Sequence, residues 1–370
     1  MSDFSRRALL LSAPALALAS HAEGAPFEVL SDRPQQLQTP LSDLDGLLTP
    51  TERFFVRSHF GPPRWDPLRK LSLTGLVTKP ATFTVSSLKR LPHTTVTAVL
   101  QCAGNGRALF QPPIPGVQWQ HGAMGQAEWT GVRLATLLDR AGLKPGAAHV
   151  HLYGADRVPR PATPPFIRSI PLDKAMHPDT LVAWEMNGAP LTLEHGAPLR
   201  LVVPGWAGDH WLKWLVGIDV AEHEHEGFFV QKAYRIPPHP VPPGTKVPPE
   251  QMQPVTVMPV KSVITSPVEG ATTSAGKVEV RGVAFSGVAA VRRVEVSVDG
   301  GQTWNEAVLE GAPGVGRWQR FRLVVEAQPG SMSALARATD ESGTTQPESA
   351  TWNPSGYFWN AWHRVGWSVA

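Results

Sequence analysis

Residues 99–107 read Val99-Leu100-Gln101-Cys102-Ala103-Gly104-Asn105-Gly106-Arg107. An apolar, strand-like run ends there in a loop that holds two glycines, an arginine and the chain's single cysteine. Glycine permits backbone angles and close approaches that other residues resist, and a nearby guanidinium favours the thiolate over the thiol. An isolated cysteine is most often a small buried hydrophobe; this loop makes Cys102 a candidate ligand or nucleophile as well. With one cysteine in 370 residues, an intrachain disulfide, a four-cysteine cluster and a thiol-rich zinc site are excluded.

Working outward from that loop, the length predicts two domains, each able to bury a sizeable core. Apolar residues make 42% and charged residues 18% of the chain. Beyond the N-terminus no apolar run is long enough to span a bilayer, so a soluble globular protein is expected. The 37 prolines and 33 glycines favour short strands and ordered turns. Residues 25–235 mix short β-branched runs such as 199–203 with one good helix pattern over 132–141. Leu134, Leu137, Leu138 and Ala141 fall there at helical spacing, and Gly142 is a stop. Seven prolines in 236–250 rule out a central strand or a helix and mark an extended connection. After residue 254, alternating runs at 277–285, 291–298, 317–325 and 333–338, with Asp299-Gly300-Gly301 as a hairpin turn, predict an immunoglobulin-like sandwich with a purely apolar core. The expected class is α+β: a mixed α/β domain over 25–250, including the proline-rich connection, then a sandwich over 254–370.

Residues 1–22 read as an export signal. Ser5-Arg6-Arg7 precedes an apolar stretch over 8–19, and Ser20-His21-Ala22 offers small residues for cleavage. Adjacent arginines give the twin-arginine pattern, which addresses folded protein to the periplasm; an ordinary secretory signal is the other reading. The net charge of +3 is small, and no lysine and arginine stripe points to nucleic acid.

Further blocks flank the cysteine loop in order: Phe54-Phe55-Val56-Arg57-Ser58-His59, Gly116-Val117-Gln118-Trp119, Trp184-Glu185-Met186-Asn187-Gly188 through His195-Gly196, Arg200-Leu201-Val202-Val203-Pro204-Gly205, and Asn360-Ala361-Trp362-His363-Arg364-Val365. Together with Cys-Ala-Gly-Asn at 102–105, they resemble the sulfite oxidase family of molybdenum enzymes from about residue 42 to 364. Ser58 stands where the family has asparagine.

The resemblance implies a molybdopterin domain in which Cys102 is the protein's thiolate ligand to molybdenum. It implies that Phe55, Val56, Arg57, Ser58 and His59 line the cofactor, and that Asp156, His195, Arg200, Trp211, Leu212 and Lys213 hold its anionic pterin. It further implies a pocket for a small oxyanion built from Arg57, Arg107, Trp119 and Tyr234, with Arg364 open as a fifth member. Taken singly, these residues have plainer readings: His195 and Arg200 as surface groups, Lys213 lying over aromatic surface, Tyr234 as packing. Their joint order with Cys102 favours the cofactor.

The function implied is molybdenum-dependent oxidation of sulfite to sulfate, with one molybdopterin per chain and no intrinsic haem or flavin. Since no Cys-x-x-Cys-His motif occurs, electrons are expected to pass to an external acceptor, a c-type cytochrome. The sandwich is expected to pair two chains in a homodimer, a heterodimer with a cytochrome subunit being the alternative. A related sulfane dehydrogenase acting on protein-bound sulfur, or a non-catalytic exported binding module, are the rival readings. Separately, Glu222-His223-Glu224-His225-Glu226 reads as a strand with both histidines on one side, either a polar surface face or a metal site.

Overall fold

The structure is a computed structural model and describes residues 27–370; the export-signal reading of residues 1–22 lies outside the described residues. Two long strands carry the cysteine loop. His93–Gln101 pairs antiparallel with Met124–Arg133, from His93 opposite Val132 to Gln101 opposite Met124. The first strand begins exposed and ends with Ala98, Val99, Leu100 and Gln101 buried. It therefore delivers Cys102 at the point where the chain reaches the core. Leu181–Met186 pairs with Met124–Arg133 on one side and with Arg200–Val202 on the other.

A second sheet runs Ala81–Phe83, Leu71–Gly75, Leu215–Ala221, His149–Gly154, Ile167–Pro171 and is mixed, because Leu71–Gly75 lies parallel to Leu215–Ala221. Between the two sheets lies a core that includes Leu73, Trp129, Leu137, Val150, Leu201 and Ile218. The helix is Leu134–Ala141, its four apolar residues buried and Gly142 closing it at φ +69°. It starts two residues later than the periodicity suggests, because Val132 and Arg133 are still paired with Val182 and Leu181 in the sheet.

The proline-rich stretch carries no strand or helix from 237 to 248. It leaves the pair formed by Arg235–Ile236 and returns to it at Gln253–Pro254. The second unit is a sandwich of a four-stranded and a five-stranded sheet, as expected. Its core is apolar, with Val280, Val294, Phe321, Ala336 and Trp367 among its buried residues.

The two units share a third apolar cluster, in which Val99 and Met124 pack with Met258, Val263, Phe285 and Trp318. Val99 N–H donates to Gly316 O at 2.8 Å, and Trp318 N–H donates to Gln126 Oε1 at 2.7 Å. The sandwich thus braces the back of the strand that ends in Cys102.

Candidate active site

The cysteine loop is tied at both ends. Cys102 N–H donates to Ala123 O, and Asn105 N–H donates to Cys102 O, each at 2.9 Å. Asn105 holds the turn with its side chain, donating to Gln101 Oε1 at 3.0 Å and accepting from Ala123 N–H at 3.1 Å. Gly106 sits at φ +91°, and a Cβ there would lie 2.7 Å from Trp359 Cβ. Glycine is therefore required at this position for both angle and space.

Cys102 opens into a cavity with two chemically distinct ends. At one end stand His195, Arg200, Lys213 and Asp156. Arg200 is wholly buried; it donates to His195 O at 2.9 Å and Trp211 O at 3.1 Å, while its Nε has no partner. Burial lowers its pKa to about 9. Lys213 donates to Ser58 Oγ at 2.7 Å and Glu194 O at 2.8 Å. Its pKa falls to about 7, chiefly through burial and then through Arg200. His195 is kept neutral, its pKa lowered to about 3 by burial and then by Arg200 and Lys213. Its Nε2–H donates to Thr51 O at 3.1 Å, leaving Nδ1 as an acceptor. Burial raises the Asp156 carboxyl to about 6 against the pull of Lys213.

This end is a buried surplus of cations, and such a surplus is costly unless an anion neutralises it. An anionic pterin phosphate meets that need, with Arg200 Nε among the groups left to receive it. The free thiol of Cys102 supplies the soft donor that molybdenum favours. The residues therefore fit the cofactor.

At the other end Arg57, His59 and Tyr234 form a relay. Arg57 donates to Ser58 O and, at 3.1 Å, to His59 Nδ1. That leaves His59 Nε2–H to donate to Tyr234 Oη, to which it is hydrogen bonded. Tyr234 Oη then has its own proton free for a ligand. Burial raises the phenol's pKa well above its ordinary value, so it stays protonated. Burial and then Arg57 hold the His59 imidazole well below its own. Tyr234 adopts φ +55°, a left-handed backbone that costs an aromatic residue about 1–3 kcal/mol. It stacks on Tyr357, ring centroids 5.5 Å apart, from the segment after the sandwich's last but one strand.

Of the sequence-predicted residues, Phe55, Arg57, Ser58, His59, Cys102, Asp156, His195, Arg200, Trp211, Leu212, Lys213 and Tyr234 line this one cavity. Four do not. Val56 is the alternate residue of its strand and faces a neighbouring groove. Trp119 is fully buried beside Phe55, ring centroids 6.4 Å apart. Arg107 is drawn away by the loops around it, donating to Val117 O and Ser355 O, each at 3.2 Å, with its guanidinium 5.1 Å from the centre of the Tyr357 ring. Arg364 is exposed on His363–Val369 and faces a separate groove.

The extended strand expected at 222–226 is also corrected, because the strand ends at Ala221 and the chain bends. His151 Nε2 bonds His223 O at 2.8 Å, and no group of three His, Cys, Asp or Glu among the described residues could hold a metal ion. Leu100, Phe166, Glu194, Gly208 and Asp209 complete the cavity without having been foreseen as site residues. A charged residue amid the aromatics of 206–214 was the one available signal for Asp209.

A two-sheet domain that places a lone thiol at the mouth of a buried cationic pocket, with an appended sandwich, defines a molybdopterin oxidoreductase. The family description "Oxidoreductase molybdopterin binding domain" matches residues 59–229, and "Mo-co oxidoreductase dimerisation domain" matches 252–369. Sulfite oxidase of Arabidopsis thaliana is 34% identical, over 92% of this chain and 93% of its own length. The mitochondrial sulfite oxidase of Mus musculus is 36% identical over 92% of this chain, which spans 65% of the mouse protein. The crystal structure of the sulfane dehydrogenase SoxCD from Paracoccus pantotrophus matches with a TM-score of 0.81 and 31% identity, covering 95% of this chain and 92% of that one. The chain belongs to the sulfite oxidase family and is a molybdenum oxidoreductase.

Proposed function

We propose that this enzyme oxidises sulfite to sulfate, with Cys102 as the protein's ligand to molybdenum. The observation that carries this reading is the meeting of Cys102, Arg57 and Tyr234 in one cavity, opposite the cationic end formed by Arg200 and Lys213. When bound, the molybdenum–pterin group supplies the two-electron oxidation of sulfur. The chain's part is to bind and orient. Arg200, Lys213 and His195 receive the pterin phosphate and pterin edge, arginine offering a planar fork of donors and lysine a point charge. Arg57 attracts the oxyanion, and Tyr234 donates its free proton to one of its oxygens. His59 fixes the direction of that donation. The low exposure of these groups strengthens each contact relative to water.

Electrons pass to an external acceptor, a c-type cytochrome in our reading, and a periplasmic location is proposed from the export-signal pattern read at residues 1–22. The sandwich pairs two chains.

A second reading, oxidation of protein-bound sulfur, draws on one specific observation. Arg107 is turned out of the cavity, so Arg57 is the one arginine of the foreseen oxyanion set that lines it. Steady-state turnover with ferricyanide separates the two. Sulfite is expected to be oxidised by the wild type and not by Cys102→Ser. Arg57→Met is expected to raise the KM for sulfite about tenfold or more, the scale of one lost charge-assisted hydrogen bond, with molybdenum content unchanged. Wild-type turnover of a thiosulfonate-bearing protein alone would establish the second reading.

A further inference from the structure

Behind Tyr234 lies a second buried charge pair. Arg168, on Ile167–Pro171, and Asp209, in the short turn Gly208–His210, approach to 2.7 Å with side chains 2% and 1% exposed. Arg168 is held by Phe229 O, and its guanidinium lies 5.1 Å from the centre of the Tyr234 ring. Asp209 lines the same cavity as Cys102 and Tyr234. The carboxylate's nearest donors are Arg168, 2.7 Å from Oδ2, and His210 Nε2, 3.4 Å from it; both approach as ion-pair contacts without hydrogen-bond geometry, which leaves its lone pairs poorly satisfied. A buried carboxylate with unsatisfied lone pairs is rare and calls for a reason.

The chemistry of the proposed reaction provides one, and the inference rests on that reading. Sulfite dianion plus water gives sulfate, two protons and two electrons. One S–O bond forms with an oxygen that water replaces, both O–H bonds of that water break, and sulfur(IV) becomes sulfur(VI). The electrons go to the metal–pterin centre and on to an external one-electron acceptor. The protons need a base inside a cavity from which most side chains are disqualified. Tyr234 is held protonated, and His59 uses both ring nitrogens. His195 and Asp156 belong to the pterin end.

We infer that Asp209 is the base that accepts a proton from the water consumed in each turnover, with Arg168 as the positioning residue that keeps it ionised and aimed into the cavity. The groups facing it are Arg168 on the sheet and His210 beside it in the chain, with Cys102, Arg57 and Tyr234 lining the same cavity and Tyr357 stacked on Tyr234. His210 is neutral, burial holding its pKa well below the usual value, and its Nε2–H donates to Val255 O at 2.8 Å. Burial raises the carboxyl of Asp209 to about 7 against the pull of Arg168, which suits it to take and release a proton near neutrality.

The test uses holoenzyme oxidising sulfite with ferricyanide between pH 5 and 9. The wild type is expected to gain kcat as pH rises through about 7. Asp209→Asn is expected to lose roughly 10²-fold in kcat and to lose that limb, while retaining molybdenum. Since Asp209→Asn strands the Arg168 charge, the double variant Arg168→Leu/Asp209→Leu removes both charges and is expected to show the same two losses in a folded, loaded protein. Retention of the limb, or of kcat within threefold, in either loaded variant overturns the inference. If the wild type oxidises no sulfite, the substrate reading fails by itself. Infrared difference titration of the same proteins then decides the proton acceptor: a carboxylic-acid band that appears below pH 7 in the wild type and is missing in Asp209→Asn supports it, and its absence from the wild type overturns it.

Discussion

Lys213 and Lys261 both hold their ammonium groups away from solvent, and their surroundings are opposite. Lys213 lies at the pterin end of the cavity with Ser58 Oγ, Glu194 O and, farther off, Asp156 for company. Lys261 opens the first long strand of the sandwich, 1% exposed, at the seam between the two units. Its Nζ has no hydrogen-bond partner. The aromatic face of Trp359 stands 5.7 Å away, and His121 and His363 are close enough for its charge to depress their pKa values. Burial lowers both lysines to about 7. The difference lies in what each can still receive. Lys213 is part of a cationic cradle shaped for an anion, so its desolvation is offset on cofactor binding. Lys261 faces rings and methylenes, and its burial is an uncompensated cost to the fold.

That contrast is sharpest in substitution. Lys261→Met keeps the volume and removes the charge. It is expected to stabilise the protein by on the order of 3 kcal/mol at pH 7, the scale of a pKa depressed by several units, read as a higher denaturant midpoint at unchanged m-value. Molybdenum content and kcat are expected to stay at wild-type levels; a fall in either would mean that Lys261 serves the site. Lys213→Met is expected to differ in the loaded enzyme, lowering cofactor retention by about 10- to 100-fold, as supporting contacts to a bound metal centre do, while its apoprotein gains stability as Lys261→Met does, because without an anion its desolvation is equally uncompensated. A loaded Lys213→Met enzyme would break the comparison.

What could be read without coordinates follows the same division. The cysteine loop was legible because its glycines, its asparagine and its apolar approach act within nine residues. The sandwich was legible because strand alternation and turn glycines are local signals. Arg107 was not, since its direction is set by Ser355 O and the Tyr357 ring, contributed by a segment close to the chain's end. Asp209 was hidden for a related reason: among tryptophans it reads as an oddity of a packing stretch until Arg168 is brought beside it by the second sheet. Lys261 begins a strand whose pattern gives no sign that the neighbouring unit covers it. Buried charge is the property that local sequence conveys worst, because its partner or its cover is a tertiary fact.

The smallest predicted effect tests whether the two lysines differ as described. A lysine with a folded-state pKa near 7 and an unfolded value near the ordinary ~10.4 binds fewer protons when folded across that interval. Unfolding then takes up protons, so stability is lowest below pH 7, rises between about pH 7 and 10, and is level above. Each such group contributes a slope of at most about 1.4 kcal/mol per pH unit. Asp209 works in a separate window: its raised carboxyl makes stability fall as pH climbs from about 4 to 7. Arg200 adds to the rise only above pH 9. In apoprotein both lysines contribute between pH 7 and 9. In holoenzyme the pterin phosphate restores the charge of Lys213 in the folded state, while nothing reaches Lys261. Loading the cofactor is therefore expected to halve the rise in denaturant midpoint over pH 7–9, and Lys261→Met to remove what remains. An equal rise in apo and loaded protein would show that Lys213 meets no anion, and would separate it from the cradle to which its neighbours assign it.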